Sequence, residues 1–214
     1  MRVVPPPPLA DWGKNGVVLH AAREVAHEMS QVDRALYSAV ASTPTPYLDA
    51  GLRSLSKAAD KSVLWIAIAG GMAAIGGPRD RRAAGTGLAS IGVASLLVNA
   101  GFKSLARRKR PQRQEEPGDR HVPMPTSTSF PSGHSASAFA FAQGVSAVSP
   151  AMSVPLHLAA VAVAYSRVHT GVHYPGDVVA GSLIGIVTGG AVSRILSRRL
   201  PRAGSDLERT TAQG

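Results

Sequence analysis

Five stretches of the chain, 62–77, 84–102, 135–149, 151–166 and 178–196, carry almost no charge, Arg194 near the end of the last being the exception. A bilayer crossing needs roughly 20 mainly apolar residues, with a lower range near 17. Two of the stretches meet that length and the other three need their flanks. All are rich in Gly, Ala and Ser, which let membrane helices approach closely. Charges crowd just outside them, at Asp60-Lys61, 79–82, 103–110 and 198–202. The pattern predicts an all-α integral membrane bundle of five spans, with short connections at 78–83 and around Pro150 and a long one at 103–134.

Composition narrows the chemistry. Charged residues make up 17% of the 214 positions, against roughly a quarter in an ordinary soluble domain. With no cysteine, a disulfide framework, a thiolate nucleophile and a cysteine zinc site are excluded. The balance of 23 Lys and Arg over 13 Asp and Glu, +10, calls for an anionic partner, such as a phosphorylated substrate or a bilayer with anionic headgroups.

The domain reading follows. Residues 1–15, with the proline run at 5–8, read as a disordered tail, and 201–214 as a basic and polar one. Residues 16–60 read as amphipathic helices. Val18, Ala22, Val25, Met29, Val32, Leu36 and Val40 recur at steps of four and three, with a possible break near Ser30. Thr45-Pro46 forms a cap and first turn for a second helix. Both helices either lie on a membrane surface or pack on the bundle, packing being the simpler expectation. Residues 61–200 form the transmembrane domain.

Counting crossings gathers the polar residues. The second span ends just before Lys103, the third begins just after Ser132-Gly133-His134, the fourth ends at Ser166-Arg167, and the fifth begins near Asp177. Alternating directions put all four clusters on one membrane face. Lys103, Arg110 and Arg167 supply positive charge, and arginine can hold two oxygens of a phosphate through its planar fork. Ser132 and Gly133 stand where a loop becomes a helix, so backbone N–H groups and the helix dipole favour an anion there. Asp177, four residues after His173, can hold one imidazole nitrogen and leave the other as a nucleophile. His134, on another helix, can protonate a departing oxygen.

Lys103-x6-Arg110-Pro111, Pro131-Ser132-Gly133-His134 and Ser166-Arg167-x5-His173-x3-Asp177 together resemble the three-part signature of the type 2 phosphatidic acid phosphatase family. The wider superfamily holds lipid phosphate phosphatases, bacterial class A acid phosphatases and vanadium haloperoxidases. The resemblance implies that His173 becomes phosphohistidine with Asp177 as its partner and that His134 is the general acid. It assigns Lys103, Arg110, Ser132, Gly133 and Arg167 to the phosphate. It also implies that no metal or other cofactor takes part, and that the site lies on the extracytoplasmic face of the cell membrane. Membrane members commonly have six helices, and the helix at 47–60 or the one before it is the candidate to complete the set. The substrate class implied is a lipid phosphate: phosphatidic acid, phosphatidylglycerol phosphate, or a polyprenyl phosphate or diphosphate. The rival readings are an idle membrane protein that binds anionic lipid or a partner, and a vanadate-dependent haloperoxidase.

Other polar residues receive plainer readings. His169 is expected to pack or to support the site, His121 to be a solvated loop residue, and His157 to make a helix contact. Arg107, Arg108 and Lys109 lack the interleaved aromatics or binding fold of a nucleic-acid patch and are expected to meet anionic headgroups or bias topology.

Overall fold

The computed structural model describes residues 14–102, 108–113 and 120–199, and among these the ordered elements are helices, without a strand. They are α1 (Lys14–Ser42), α2 (Pro46–Ala58), α3 (Val63–Ile75), α4 (Pro78–Leu96), α5 (Gly133–Ser146), α6 (Ser153–His169) and α7 (Pro175–Arg199). Leu97–Phe102 continues α4 as a π-helical turn, and Pro150–Met152 is a 3-10 turn leading into α6. Pro46, Pro78 and Pro175 open their helices, where the missing N–H costs nothing and the fixed φ suits the first turn. Ser132 caps α5, its Oγ accepting from the Ser135 N–H at 3.4 Å. Thr45 stands at the N-cap of α2 without a capping hydrogen bond; its Oγ1 donates instead to Asp49 at 2.9 Å.

Three helical segments, Pro78–Gly101, Pro150–His169 and Pro175–Arg199, are long and apolar enough to cross a bilayer, and Pro46–Ala58 with Asp60–Ile75, bent by 62°, makes a fourth if that pair is one span. The described residues therefore give three or four spans by length and composition where five to six were expected. Two physical reasons account for the difference. The apolar run after Lys61 is only 13 helical residues long in α3, because the chain bends sharply at Asp60–Ser62. The 14 residues of α5 rise about 21 Å, and α5 is walled in by its neighbours.

The connection expected at 78–83 is instead the start of α4. Asp80 accepts from the Gly77 N–H at 3.2 Å and complements the helix dipole, so the helix begins inside the charge cluster. Arg79 and Arg81 turn back to the carbonyls of Val148 and Ala73, at 2.8 and 3.0 Å. Helix α1 runs unbroken through Ser30. Its stripe of Val18, Val25, Met29, Val32 and Leu36 is more than half exposed, so it is Asp33 and Tyr37 that are buried against the bundle. The tails expected at 1–15 and 201–214 fall outside the described residues, except that α1 already includes Lys14 and Asn15.

Helix α5 is the axis of the packing. Ala136, Ala138, Ala140, Phe141, Ala142 and Val145 along it are buried. Trp65 of α3 tilts against Phe141 with ring centroids 5.4 Å apart. On the α7 side Gly181, Gly185 and Gly189 face the α5 backbone so closely that a Cβ would stand 2.3, 2.4 and 2.7 Å from the carbonyl oxygens of Ser132, Ala136 and Ala140. On the α4 side a Cβ at Gly87 would stand 2.7 Å from both Phe141 and Val145. Other large apolar side chains point outward: Leu158 and Val161 on α6 and Val179, Leu183 and Val187 on α7 are exposed. Small residues at the helix contacts and large apolar ones on the outer faces suit helices that meet lipid.

The α5–α7 contact predicts an asymmetric response to added bulk. Gly185→Val should lower unfolding stability in detergent by about 1–3 kcal/mol, the usual cost of forcing volume into a packed contact. Gly190→Val, on the same helix with open space around its Cα, should stay within about 0.5 kcal/mol of the parent. Equal effects in the two variants would show that α7 does not rest on α5 through its glycines.

Candidate active site

Between α6 and α7 the chain turns at Gly171, whose φ of +71° is left-handed and suits glycine. The turn lets the N–H groups of Val172 and His173 donate to the Arg167 carbonyl at 3.1 and 3.2 Å, locking the loop onto the end of α6. His173 is 2% exposed. Its Nε2 lies 3.2 Å from Nη1 of Arg110. A guanidinium has donors and no acceptor, so Nε2 must offer its lone pair and the ring proton belongs on Nδ1. Nδ1 lies 3.4 Å from Oδ2 of Asp177, without an aligned hydrogen bond. Burial, the largest influence, drives the His173 pKa down to about 4; Asp177 pulls it upward, and Arg110 and Arg167 push it further down. The imidazole is therefore neutral at physiological pH.

Asp177, on the first turn of α7, is completely buried and held by three donors. Ser129 Oγ makes a short hydrogen bond to its Oδ2, the Tyr174 N–H donates at 2.9 Å, and Arg108 Nη1 donates at 2.9 Å. Nη2 of Arg108 pairs with Asp33 of α1, and the guanidinium lies 4.3 Å from the centre of the Tyr174 ring. Arg108, expected to meet lipid headgroups, thus turns inward between two carboxylates. Asp33 also accepts from the Gly176 N–H at 2.7 Å, and Tyr37 meets Tyr174 edge-on at 5.5 Å. Helix α1 therefore braces the start of α7 and, through it, the carboxylate beside His173.

The remaining expected residues divide. Arg110 sits beside His173 and also pins loops, donating to the carbonyls of Ser127, Thr128 and Val172 at 2.9, 3.2 and 2.7 Å. Arg167 is 1% exposed; its Nη1 donates to Ser56 Oγ of α2 and lies 3.7 Å from Asp60 Oδ1, while its buried Nε has no partner. The Ser132 N–H, expected to face an anion, donates to the Asp177 carbonyl at 2.9 Å. That bond ties the start of α5 to α7 and leaves the first-turn N–H groups of Gly133 and His134, which no carbonyl of α5 can reach. His134 Nε2 is 2.7 Å from Asp60 Oδ1. Lys103 and Arg107 lie outside the described residues. The structure thus brings His173, Asp177, Arg110, Arg167, Ser132, Gly133 and His134 to one end of the bundle. Among the described residues no group of three His, Asp or Glu side chains converges as metal ligands would.

His169 is buried with Nε2 2.9 Å from Asp49, in keeping with a supporting role. His157 meets the Ser153 carbonyl at 2.8 Å one turn back on its own helix. Sequence reasoning missed Asp33, Ser56, Asp60, Arg113 and Ser129. Arg113 Nη2 clamps the carbonyls of Val122 and Thr170 at 2.8 and 3.0 Å. The two acids and Ser56 lie on helices outside the motifs. Ser129, two residues before Pro131-Ser132-Gly133-His134, was the one with a local cue.

Comparison with known proteins places the chain. The PAP2 superfamily profile matches residues 84–201. A decaprenylphosphoryl-5-phosphoribose phosphatase of Mycobacterium tuberculosis is 33% identical over 70% of this chain and 81% of its own length. The protein of the same name from Mycolicibacterium smegmatis is 34% identical over 61% and 69%. Among solved structures, a transmembrane PAP2 type phosphatidylglycerolphosphate phosphatase from Bacillus subtilis superposes with a TM-score of 0.67 at 24% identity, covering 87% of this chain and 94% of that one. LpxE of Aquifex aeolicus gives 0.62 at 25% identity, over 75% and 93%.

Arg108 separates a structural brace from a surface charge. Arg108→Ala leaves the carboxylates of Asp33 and Asp177 without their shared cation, and should cost about 3 kcal/mol of unfolding stability, the lower end for breaking a buried pair from one side. Lys109→Ala, at an exposed neighbour, should change stability by less than about 0.5 kcal/mol. Unfolding of both variants in detergent would decide it, and a silent Arg108→Ala would contradict the bracing role.

Proposed function

The chain belongs to the PAP2 superfamily of phosphatases, and from that premise we propose that it is a metal-independent lipid phosphate phosphatase working through a phosphohistidine at His173. The observation that carries the mechanism is the contact of Arg110 with His173 Nε2. It leaves a neutral imidazole with its lone pair on the side of a cation and its proton on the Nδ1 side, 3.4 Å from Asp177. A phosphoryl group entering beside Arg110 takes the place of that weak contact, with the lone pair aimed at phosphorus.

Arg110, Arg167, Lys103 and the first-turn N–H groups of Gly133 and His134 hold the phosphoryl oxygens, where fixed donors stabilise charge as it develops. Ser132 contributes by capping α5 and tying it to Asp177. The His173 lone pair forms an N–P bond as the bond from phosphorus to the leaving oxygen breaks, and that oxygen takes a proton from the His134 imidazolium. Asp177 stabilises the positive charge that develops on His173. Water then attacks phosphorus, gives a proton to the neutral His134, and breaks the N–P bond, releasing phosphate.

The outward-facing apolar helices support a substrate whose chain stays in the bilayer while its headgroup reaches the site. The M. tuberculosis and M. smegmatis relatives favour a phosphomonoester on a polyprenyl-linked headgroup. An undecaprenyl-diphosphatase of Sulfolobus acidocaldarius, 36% identical over 44% of this chain and 46% of its own length, keeps a polyprenyl diphosphate in view. We place the site on the extracytoplasmic face of the cell membrane.

Phosphate release in EDTA from polyprenyl phosphates and diphosphates, phosphatidic acid and phosphatidylglycerol phosphate tests the reading. The parent should turn over with polyprenyl substrates ranked first, and orthovanadate should compete. His173→Ala should lose at least about 1,000-fold, since it removes the nucleophile itself. Undiminished release by His173→Ala would overturn the assigned nucleophile, and activity lost in EDTA and restored by added metal would overturn the metal-free mechanism.

A further inference from the structure

The chain between α2 and α3 adds a residue to this site that none of the three motifs contains. Lys61 and Ser62 both have positive φ, 50° and 61°, a left-handed conformation that costs side-chain-bearing residues of order 1–3 kcal/mol each and persists where the surroundings enforce it. The turn bends the helix pair by 62° and delivers Asp60 to the site. Oδ1 of Asp60 stands 2.7 Å from His134 Nε2 and 3.7 Å from Arg167 Nη1. One turn earlier, Ser56 accepts from the same Arg167, so the end of α2 is anchored on the cradle at two points. Beside His134 a polar recess of about 190 Å³ is lined by Lys61, Ser62, Ser95, Asn99 and Ser137.

We infer that Asp60 is the positioning residue for the general acid, the counterpart on His134 of Asp177 on His173. Its carboxylate accepts the Nε2 proton of His134, which fixes the ring and turns Nδ1 to the leaving oxygen. The charges around His134 make such a partner necessary. Burial comes first among the influences that drive its pKa down to about 4, Arg167 and His173 push the same way, and Asp60 is the group that favours the imidazolium. Lys61, lining the recess, is a further cation on that side. With Asp60 in place His134 is, like His173, neutral before substrate binds. Without Asp60 its pKa would fall further, leaving it less able to take up the proton that the first step gives away once a phosphate dianion adds its charge.

The inference rests on the reading of His134 as the acid, and a leaving-group comparison tests it. An acid matters for an alkyl phosphate, whose alkoxide is a poor leaving group, and little for p-nitrophenyl phosphate, whose phenolate departs without a proton. Asp60→Asn should lower kcat/KM for dodecyl phosphate by about 10- to 100-fold, part of the roughly 10²- to 10⁴-fold that general acid catalysis supplies, and for p-nitrophenyl phosphate by less than about threefold. The basic limb of the dodecyl phosphate pH profile should move to lower pH. Asp60→Glu, which keeps the carboxylate, should recover most of the loss. Equal losses on the two substrates, from collapse of the fold or from general slowing, would overturn the assignment, as would a Glu variant as selectively impaired as Asn. A parent protein whose turnover on either substrate survives His173→Ala would remove the underlying reading as well, a result distinct from normal His173-dependent turnover with an indifferent Asp60.

Discussion

The direct contact of the α5 and α7 backbones fixes the rest of the site. With glycine at 181, 185 and 189, α7 lies against carbonyl oxygens of α5 at distances no side chain would permit. That approach lets the Ser132 N–H reach the Asp177 carbonyl, which sets the loop-to-helix junction carrying His134 beside the helix start carrying Asp177. Buried groups such as the Asp177 carboxylate and the Ser132 N–H then have fixed partners, as is needed where unpaired ones are costly, while Nε of Arg167 and Nδ1 of His173 stay without one. The same small residues leave room for lipid-facing bulk outside, so one sequence pattern serves both membrane embedding and site assembly.

Charge is organised around that contact in two parallel units. His173 has Asp177 near one nitrogen and Arg110 near the other; His134 has Asp60 on one nitrogen, with Arg167 close to the same carboxylate. The first carboxylate is buried and triply hydrogen-bonded, with Arg108 joining it to Asp33. The second, on a bent helical junction, is half exposed. The first ring is buried, while the second keeps part of its surface exposed. Asp33 comes from α1, Ser56 from α2 and Asp60 from the turn that follows α2, so the N-terminal segment completes a site whose motifs lie wholly beyond it.

Much of this was legible in the sequence, because the order of apolar stretches alone places the ends of α4 and α6 and the starts of α5 and α7 on one face. The closeness of His173 and Asp177 follows from their separation of four residues across the start of α7. What stayed hidden depends on approach between distant segments. Asp33 and Asp60 carry no local sign that they meet Arg108 and His134. Arg108 sits in a basic run where a lipid-facing role is the natural reading, and only the fold shows it turned between two carboxylates. The span count was not confirmed, for a related reason. Hydropathy measures how apolar a stretch is, and it registers neither the bend at Asp60–Ser62 nor the shortness of α5, whose neighbours shield it from lipid.

The central claim is that phosphorus passes through His173, and the most direct measurement is to catch it there. Protein mixed with a lipid phosphate, quenched in alkali within milliseconds and digested, should yield by mass spectrometry a phosphoryl group on His173 that is stable to base and lost in acid, as phosphoramidates are. Full substrate conversion with His173 unmodified at every quench time, or the phosphoryl group on His134 or another residue, would contradict the account.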